Sequence, residues 1–417
     1  MQNFSGSGSP VRSPAFGFKN HLSGRITNLE PRRSSSAIKP SHIHADSLPQ
    51  NPVFVPIGYN RHGWETTRLP EDTDLRRYQG EDLRAAPRIA VVANDAIGNF
   101  VVSTPLLQML KERFKPFALD YYGGARTWEL IENSDLIDYG YPLHGAPPNE
   151  TAKAIAERTD DGSYDLIVNL EWTAYAKTCT AMLSHHETFI CGPSFGRGGR
   201  ADLEMPGDDR GDLWRDQEWI SEDLTRKYPY LRSGFIGEIF CRLAYLEGDV
   251  PRYRLPSKIP AQSIPDVLIA TAASLPDKLW APESWIQTLN WLKDKGISVG
   301  LIGAPPARQQ EFWKGNSVED DLVAQGLVED LRGVFSLPEV VGALERSKAV
   351  FSVDNGVMHL AAGTQTPIVG LFRYGIHRLW APPAHELTVL TPAPDDVVAT
   401  ITATDAIAAL GNALKIG

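Results

Sequence analysis

The sequence has few cysteines, no long apolar run and no excess of positive charge. Its three cysteines, Cys179, Cys191 and Cys241, lack the paired spacing of a zinc or redox motif, which predicts buried thiols in a reducing compartment. No run of about 18 apolar residues is present, which argues against a transmembrane helix. A formal net charge of -10 argues against nucleic-acid binding, because that binding depends on Lys and Arg.

The chain of 417 residues is long enough for two domains, with 42% hydrophobic and 22% charged residues. Residues 1–50 are rich in Ser, Gly, Pro and Arg, which predicts a disordered tail, and residues 51–86 read as an irregular lead-in. The first residues carry no apolar signal-peptide core. We therefore expect a cytoplasmic protein, and peripheral membrane contact stays open.

Short apolar runs alternate with helical patterns along most of the remaining chain. The first run, RIAVVAN, covers residues 88–94 and has the length of a buried parallel strand. A polar, Gly-rich stretch over residues 192–216 interrupts the alternation, which restarts beyond the proline-rich residues 251–265. The pattern predicts an N-terminal Rossmann-like domain over residues 87–250, a linker over 251–265 and a C-terminal Rossmann-like domain over 266–417.

The most informative loop follows a predicted strand at residues 349–353. Asp354, Asn355 and Gly356 open a short helix there, with His359 in its first turn. A helix N-terminus offers unpaired N–H groups and a partial positive charge to an anion. The loop therefore predicts a diphosphate site, and the alternative is a plain helix cap with a packed histidine.

Three other loops carry candidate residues. Ser274 and Lys278 follow the strand predicted at residues 267–271 and suit a phosphate, although a lone lysine is often only a solvated charge. Gly98 lies on the turn after the first strand, where the glycine triplet of a dinucleotide site is missing. Arg197 and Arg200 on a Gly-rich loop suit an anionic acceptor, or form a mobile surface loop.

Four segments together resemble glycosyltransferase family 9, the ADP-heptose:lipopolysaccharide heptosyltransferases. They are IGNFVVSTPLLQMLK, YDLIVNLEWTAYAKT, DKLWAPESW and the segment LRGVFSLPEVVGALERSKAVFSVDNGVMHLAAGTQTPIVGLF. The last of these contains the most specific motif, VDNGVMHLAAG. The resemblance spans roughly residues 88–381 with order and spacing kept.

The resemblance implies a GT-B fold, in which two Rossmann-like domains with parallel sheets face an interdomain cleft. It implies an acceptor site on the N-terminal domain, a nucleotide-sugar site on the C-terminal domain, and no metal or resident cofactor. The implied donor is ADP-heptose, and the implied acceptor is a saccharide or glycolipid of lipopolysaccharide biosynthesis. The donor residues carried over are Ser274, Lys278, Asp354, Asn355, Gly356 and His359.

Two positions depart from the family pattern. Asn99 stands where the family usually has an aspartate proposed as general base, and an amide cannot accept a proton at neutral pH. Asp95, on the same loop, is the candidate substitute, so the catalytic assignment is Asp95 with Asn99. Pro305 stands where an acidic residue often contacts the nucleoside, which weakens the ADP and heptose identities.

The sequence therefore predicts an inverting, metal-independent glycosyltransferase. Its acceptor would bind near Gly98 and the loop of Arg197 and Arg200. One alternative is a transferase of the same fold that uses another nucleotide sugar, in natural-product or protein glycosylation. A second alternative, suggested by Asn99, is a catalytically silent sugar-nucleotide-binding or scaffold protein.

Overall fold

The computed structural model describes residues 75–196, 201–308, 318–384 and 386–416. The predicted tail, most of the predicted lead-in, and the acceptor candidates Arg197 and Arg200 lie outside the described residues. The described chain forms two six-stranded sheets flanked by helices. Every strand pairing in both sheets is parallel, as the alternation of strands and helices predicts.

The first sheet has the strand order β1-β6-β5-β2-β3-β4. Its central strands are fully buried because their short apolar runs are covered by helices on both faces. Its strands are β1 (Arg76–Arg77), β2 (Arg88–Val92), β3 (Ala118–Gly124), β4 (Tyr139–His144), β5 (Leu166–Asn169) and β6 (Phe189–Cys191). The helices are α1 (Ile97–Phe114), α2 (Trp128–Glu132), α3 (Pro148–Asp160), α4 (Ala174–Leu183), α5 (Asp209–Arg215), α6 (Leu224–Lys227) and α7 (Ile236–Leu243).

This sheet begins before residue 87, the predicted start of the first domain. The edge strand β1 pairs with β6, and Tyr78 beyond it is only 1% exposed. The Tyr78 ring packs edge-on against Phe189 and Tyr245. The end of the predicted lead-in is therefore part of the first lobe, by which we mean the first sheet with its helices; the second lobe is the second sheet with its helices. The sequence did not show this, because a strand of two residues is too short to give a periodic pattern.

The second sheet has the order β12-β11-β10-β7-β8-β9. The ring of Trp280 packs edge-on against Trp285 and Phe351, with centroids 5.0 and 5.3 Å apart, and the ring of Trp285 lies tilted against Phe351 at 4.7 Å. Its strands are β7 (Val267–Ala270), β8 (Val299–Leu301), β9 (Glu329–Asp330), β10 (Ala349–Val353), β11 (Ile368–Leu371) and β12 (Leu387–Leu390). The helices are α8 (Pro282–Asp294), α9 (Val318–Ala324), α10 (Leu337–Leu344), α11 (Gly356–Ala362), α12 (His377–Trp380) and α13 (Ala403–Leu414).

Both sheets reverse their strand order at one point. In the first sheet β2 lies between its successor β3 and the later strand β5, and in the second sheet β7 lies between its successor β8 and the later strand β10. The loops at such a reversal leave in opposite directions and open a crevice beyond the carboxyl ends of the strands, where ligands bind in open α/β folds. We call the crevice between β2 and β5 the first reversal point and the crevice between β7 and β10 the second.

The proline-rich linker, residues 251–265, contacts both lobes. The amide of Arg254 donates to Oγ1 of Thr104 on α1 at 3.3 Å, while the guanidinium of Arg252 lies 3.1 Å from Glu386 in the second lobe. Among the helices of the described residues, none combines the length and the apolar character needed to span a bilayer.

Candidate functional site

Lys278 and Asp354 meet across the second reversal point. Lys278 ends a 3-10 turn that follows β7, and Asp354 follows β10 directly. The Lys278 Nζ atom lies 2.7 Å from Oδ2 of Asp354 and donates to the Asp354 carbonyl oxygen at 3.3 Å. The carboxylate is buried and the amine is mostly buried, so the two charges are held together rather than solvated.

Asn355 ties the two loops of this reversal point together. Its side-chain oxygen caps α11 by accepting from the amides of Val357 at 2.9 Å and Met358 at 3.1 Å. Its amide nitrogen donates to the carbonyl oxygen of Ala272, beyond β7, at 2.8 Å. The side chain of Asn355 therefore fixes the α11 turn against the loop after β7, in addition to the contacts of Lys278 with Asp354.

His359 is a neutral group in this structure. The residue is 2% exposed, and its ring packs edge-on against Trp380 at 5.8 Å. Burial lowers its pKa to about 4, and nearby Lys278 acts in the same direction, although Asp354 opposes both. His359 can therefore offer a hydrogen bond near pH 7 but no positive charge.

The two reversal points face each other across the contact between the lobes. A Cβ atom placed on Gly98 would lie 2.9 Å from Cδ2 of His359. A Cβ atom placed on Gly356 would lie 2.9 Å from Cβ of Ile97. The first turns of α1 and α11 thus touch, and glycine at both positions permits that close approach.

Asp95 is held by an arginine that the sequence analysis did not identify. Arg126 lies in a 3-10 turn after β3 and contacts both carboxylate oxygens, with Nη2 2.6 Å from Oδ1 and Nε 2.9 Å from Oδ2. A bidentate pair of this kind fixes the orientation of the carboxylate. As a proton acceptor, Asp95 would have to share its oxygens with this guanidinium group.

Two further predicted site residues, Asn99 and Ser274, lie on the same two elements as Gly98 and Lys278. Asn99 is half-buried in the first turn of α1, next to Gly98, and Ser274 is exposed on the loop of Lys278. Within the described ranges, no three His, Cys, Asp or Glu side chains gather as they would around a metal ion.

Two further polar residues, His144 and Glu171, lie at the carboxyl edge of the first sheet. Burial lowers the pKa of His144 at the end of β4. Glu171 follows β5 and is 3% exposed, and burial raises its pKa to about 7. The signal for Glu171 in the sequence is its position, because it lies two residues beyond the apolar strand β5.

The sequence comparison assigns the second lobe and its linker to a family. The model named glycosyltransferase family 9 (heptosyltransferase) matches residues 251–398. Residues 251–398 of this chain are therefore similar to glycosyltransferase family 9. The family 9 match includes Lys278, Asp354 and His359, and it confirms the family predicted from the sequence motifs.

Individual family 9 relatives are distant. Lipopolysaccharide heptosyltransferase 3 of Escherichia coli is 24% identical over 192 residues, which cover 38% of this chain and only 55% of the relative. A family 9 glycosyltransferase structure from Veillonella parvula aligns with a TM-score of 0.59 and 14% identity, covering 80% of this chain and 99% of the other. The E. coli heptosyltransferase WaaC with ADP aligns with a TM-score of 0.53 and 17% identity over 78% and 99%. These structures confirm the predicted GT-B fold.

Proposed function

We propose that the chain is an inverting, metal-independent glycosyltransferase that moves a heptose from ADP-heptose to a hydroxyl of a saccharide or lipopolysaccharide-core-like acceptor. The observation that carries the proposal is the contact between the two reversal points, with Gly98 against His359 and Ile97 against Gly356. A group-transfer enzyme needs two substrate sites that meet, and this contact brings one site from each lobe together.

The donor diphosphate is assigned to the second reversal point. Lys278 provides a positive charge there, and Asn355 uses the amides of Val357 and Met358 internally, which leaves the amides of Asn355 and Gly356 to meet an anion. A bound diphosphate would lie beside the ion pair of Lys278 and Asp354 and draw the amine toward itself. The names of the relatives, which mention heptosyl transfer and ADP, support the nucleotide and the sugar.

The acceptor is assigned to the first lobe, beside Asp95, Asn99 and Gly98. With the donor diphosphate on the second lobe, an acceptor hydroxyl reaches the anomeric carbon from the opposite face. The new bond forms as the bond to the diphosphate breaks and the hydroxyl proton passes to Asp95, so the configuration inverts. The diphosphate leaves with the bonding electrons, and Lys278 stabilises the charge that develops on it.

A nucleotide panel tests the donor assignment. We expect ADP and ADP-heptose to raise the melting temperature more than UDP, GDP or CDP do, because a ligand at about 100 times its Kd stabilises the folded state by about 2.7 kcal/mol. A larger shift with another nucleotide would identify a transferase for a different donor. Release of ADP that depends on an added saccharide acceptor then measures transfer directly.

The same assay separates an enzyme from a silent binding protein. Donor binding without transfer to any saccharide, and without donor hydrolysis, would contradict the proposed function and support the binding role that Asn99 suggested. Loss of measured transfer in the Asp95→Ala variant, with donor binding kept, would support the acceptor-side assignment of Asp95.

A further inference from the structure

Glu171 reaches from β5 to the loop after β2 at the first reversal point. Its Oε1 atom accepts a hydrogen bond from Nδ2 of Asn94 at 2.7 Å. The side-chain oxygen of Asn94 in turn accepts from the amide of Ala96 at 2.9 Å. The side chain of Asn94 therefore connects Glu171 to the turn that carries Asp95.

The buried side chain of Asn169 holds the backbone of Glu171 in place. Its oxygen accepts from the Glu171 amide at 2.8 Å, and its nitrogen donates to the carbonyl oxygens of Glu171 at 3.0 Å and Pro193 at 2.7 Å. A fully bonded buried amide of this kind makes a loop rigid. The loop after β5 thus fixes Glu171 before any substrate arrives.

The surroundings of Glu171 make its charge sensitive to pH near neutrality. Its second oxygen, Oε2, is buried and has no hydrogen-bond partner among the residues that the structure describes. Burial raises its pKa to about 7, the Asn94 hydrogen bond opposes this, and the charge of Asp95 adds to it. Burial raises the pKa of Tyr121 on β3 and the charge of Glu171 adds to it, while Arg126 pairs with Asp95.

We propose that Glu171 is a positioning residue for the transfer reaction, which holds the turn of Asp95 through Asn94 and holds it more firmly when ionised. The proposal rests on the proposed function, because that function places the acceptor beside this turn. A hydrogen bond from an amide to a carboxylate is stronger than one to a neutral carboxyl group. Transfer should therefore increase as Glu171 loses its proton.

The pH profile of kcat/KM tests this role. Between about pH 5.5 and 8.5 we expect the parent enzyme to show an acid limb with its midpoint near the Glu171 pKa of about 7. In Glu171→Gln the side-chain oxygen still accepts from Asn94 but carries no charge, so this limb should disappear while activity stays within about tenfold of the parent. Glu187→Gln, at a side chain that is 78% exposed, is the matched control and should keep the parent profile.

The Asn94→Ala variant removes the connection and leaves the charge of Glu171. We expect kcat/KM to fall about 10- to 100-fold and the acid limb to disappear, because the charge of Glu171 no longer reaches the turn of Asp95. An unchanged acid limb in Glu171→Gln would overturn the proposal. A fall of more than about 100-fold in that variant at every pH would also overturn it, since such a loss indicates a proton acceptor.

Thermal unfolding without substrate provides an independent measurement. Burial penalises the ionised form of Glu171 only in the folded state. The contribution of Glu171 to the free energy of unfolding is therefore complete below its ordinary pKa of 4.5 and is lost as the pH rises through the folded-state pKa of about 7. The melting temperature of Glu171→Gln relative to the parent should therefore increase from about pH 5.5 to 8.5. If this difference in melting temperature does not change with pH, the proposal is overturned. If the difference changes as expected but the parent protein shows no transfer activity, the proposed function has failed instead.

Discussion

Lys278→Met should lower kcat by about 10²- to 10³-fold, because the charge that develops on the leaving diphosphate would lose the cation that we assign to it. Methionine keeps most of the apolar stem, so the packing changes little while the charge is removed. The measurement is steady-state transfer at saturating donor, with donor affinity followed separately by the shift in melting temperature.

The substitution also leaves the buried Asp354 carboxylate without its partner. Removing one member of a buried ion pair costs about 3–5 kcal/mol, so a loss of activity from unfolding has to be separated from a loss of catalysis. The double variant Lys278→Met with Asp354→Asn removes both charges. We expect it to recover most of the lost free energy of unfolding but little of the lost turnover.

Lys293→Met is the control, since Lys293 is exposed on α8, away from the reversal point. Its turnover and stability should match those of the parent. Turnover of Lys278→Met equal to that of the parent, in a variant shown to be folded, would refute the assignment of the donor diphosphate to this lysine.

The buried strands were predictable because their signal is local. The predicted bounds of residues 349–353 match β10, and the prediction of 267–271 differs from β7 by one residue. Both runs are short, apolar and completely buried. By contrast, β1 and β9 are two-residue edge strands, and both residues of β9 are exposed, so neither has an apolar pattern to detect.

The meeting of Lys278 with the α11 turn was predictable for a topological reason. Each follows a parallel strand, and the carboxyl ends of parallel strands lie at one edge of a sheet. The ion pair with Asp354 was not predicted, because the sequence shows only that the two loops are neighbours. Their side-chain conformations depend on packing that involves both strands.

The electrostatic state of the site was the least predictable feature. His359 is buried partly by Gly98 from the other lobe, far away in the sequence, and this burial makes it neutral. Likewise, the pairing of Asp95 with Arg126 joins loops that follow two different strands. A sequence pattern gives the identity of such groups but not their partners, and the partners decide the charge.

Gly124→Ala should destabilise the protein by about 3 kcal/mol and displace Asp95 from Arg126. A Cβ atom on Gly124 would lie 1.7 Å from Cβ and 2.3 Å from Cα of Asp95. The Gly124 backbone is extended, with φ -133° and ψ 161°, so alanine is conformationally allowed and the cost arises only from this clash. Urea unfolding measures the stability, and transfer activity per folded molecule measures the displacement of the loop.

Gly207→Ala is the matched control, because a Cβ atom there meets nothing within 4 Å. Its free energy of unfolding should stay within about 0.5 kcal/mol of the parent value. If Gly124→Ala were equally stable, the loop after β2 would not pack against the end of β3, and the bidentate contact of Arg126 with Asp95 would lose its structural basis. If Gly124→Ala instead folds and loses activity beyond its folded fraction, the orientation of Asp95 matters for transfer, because the substitution changes no group that contacts the donor.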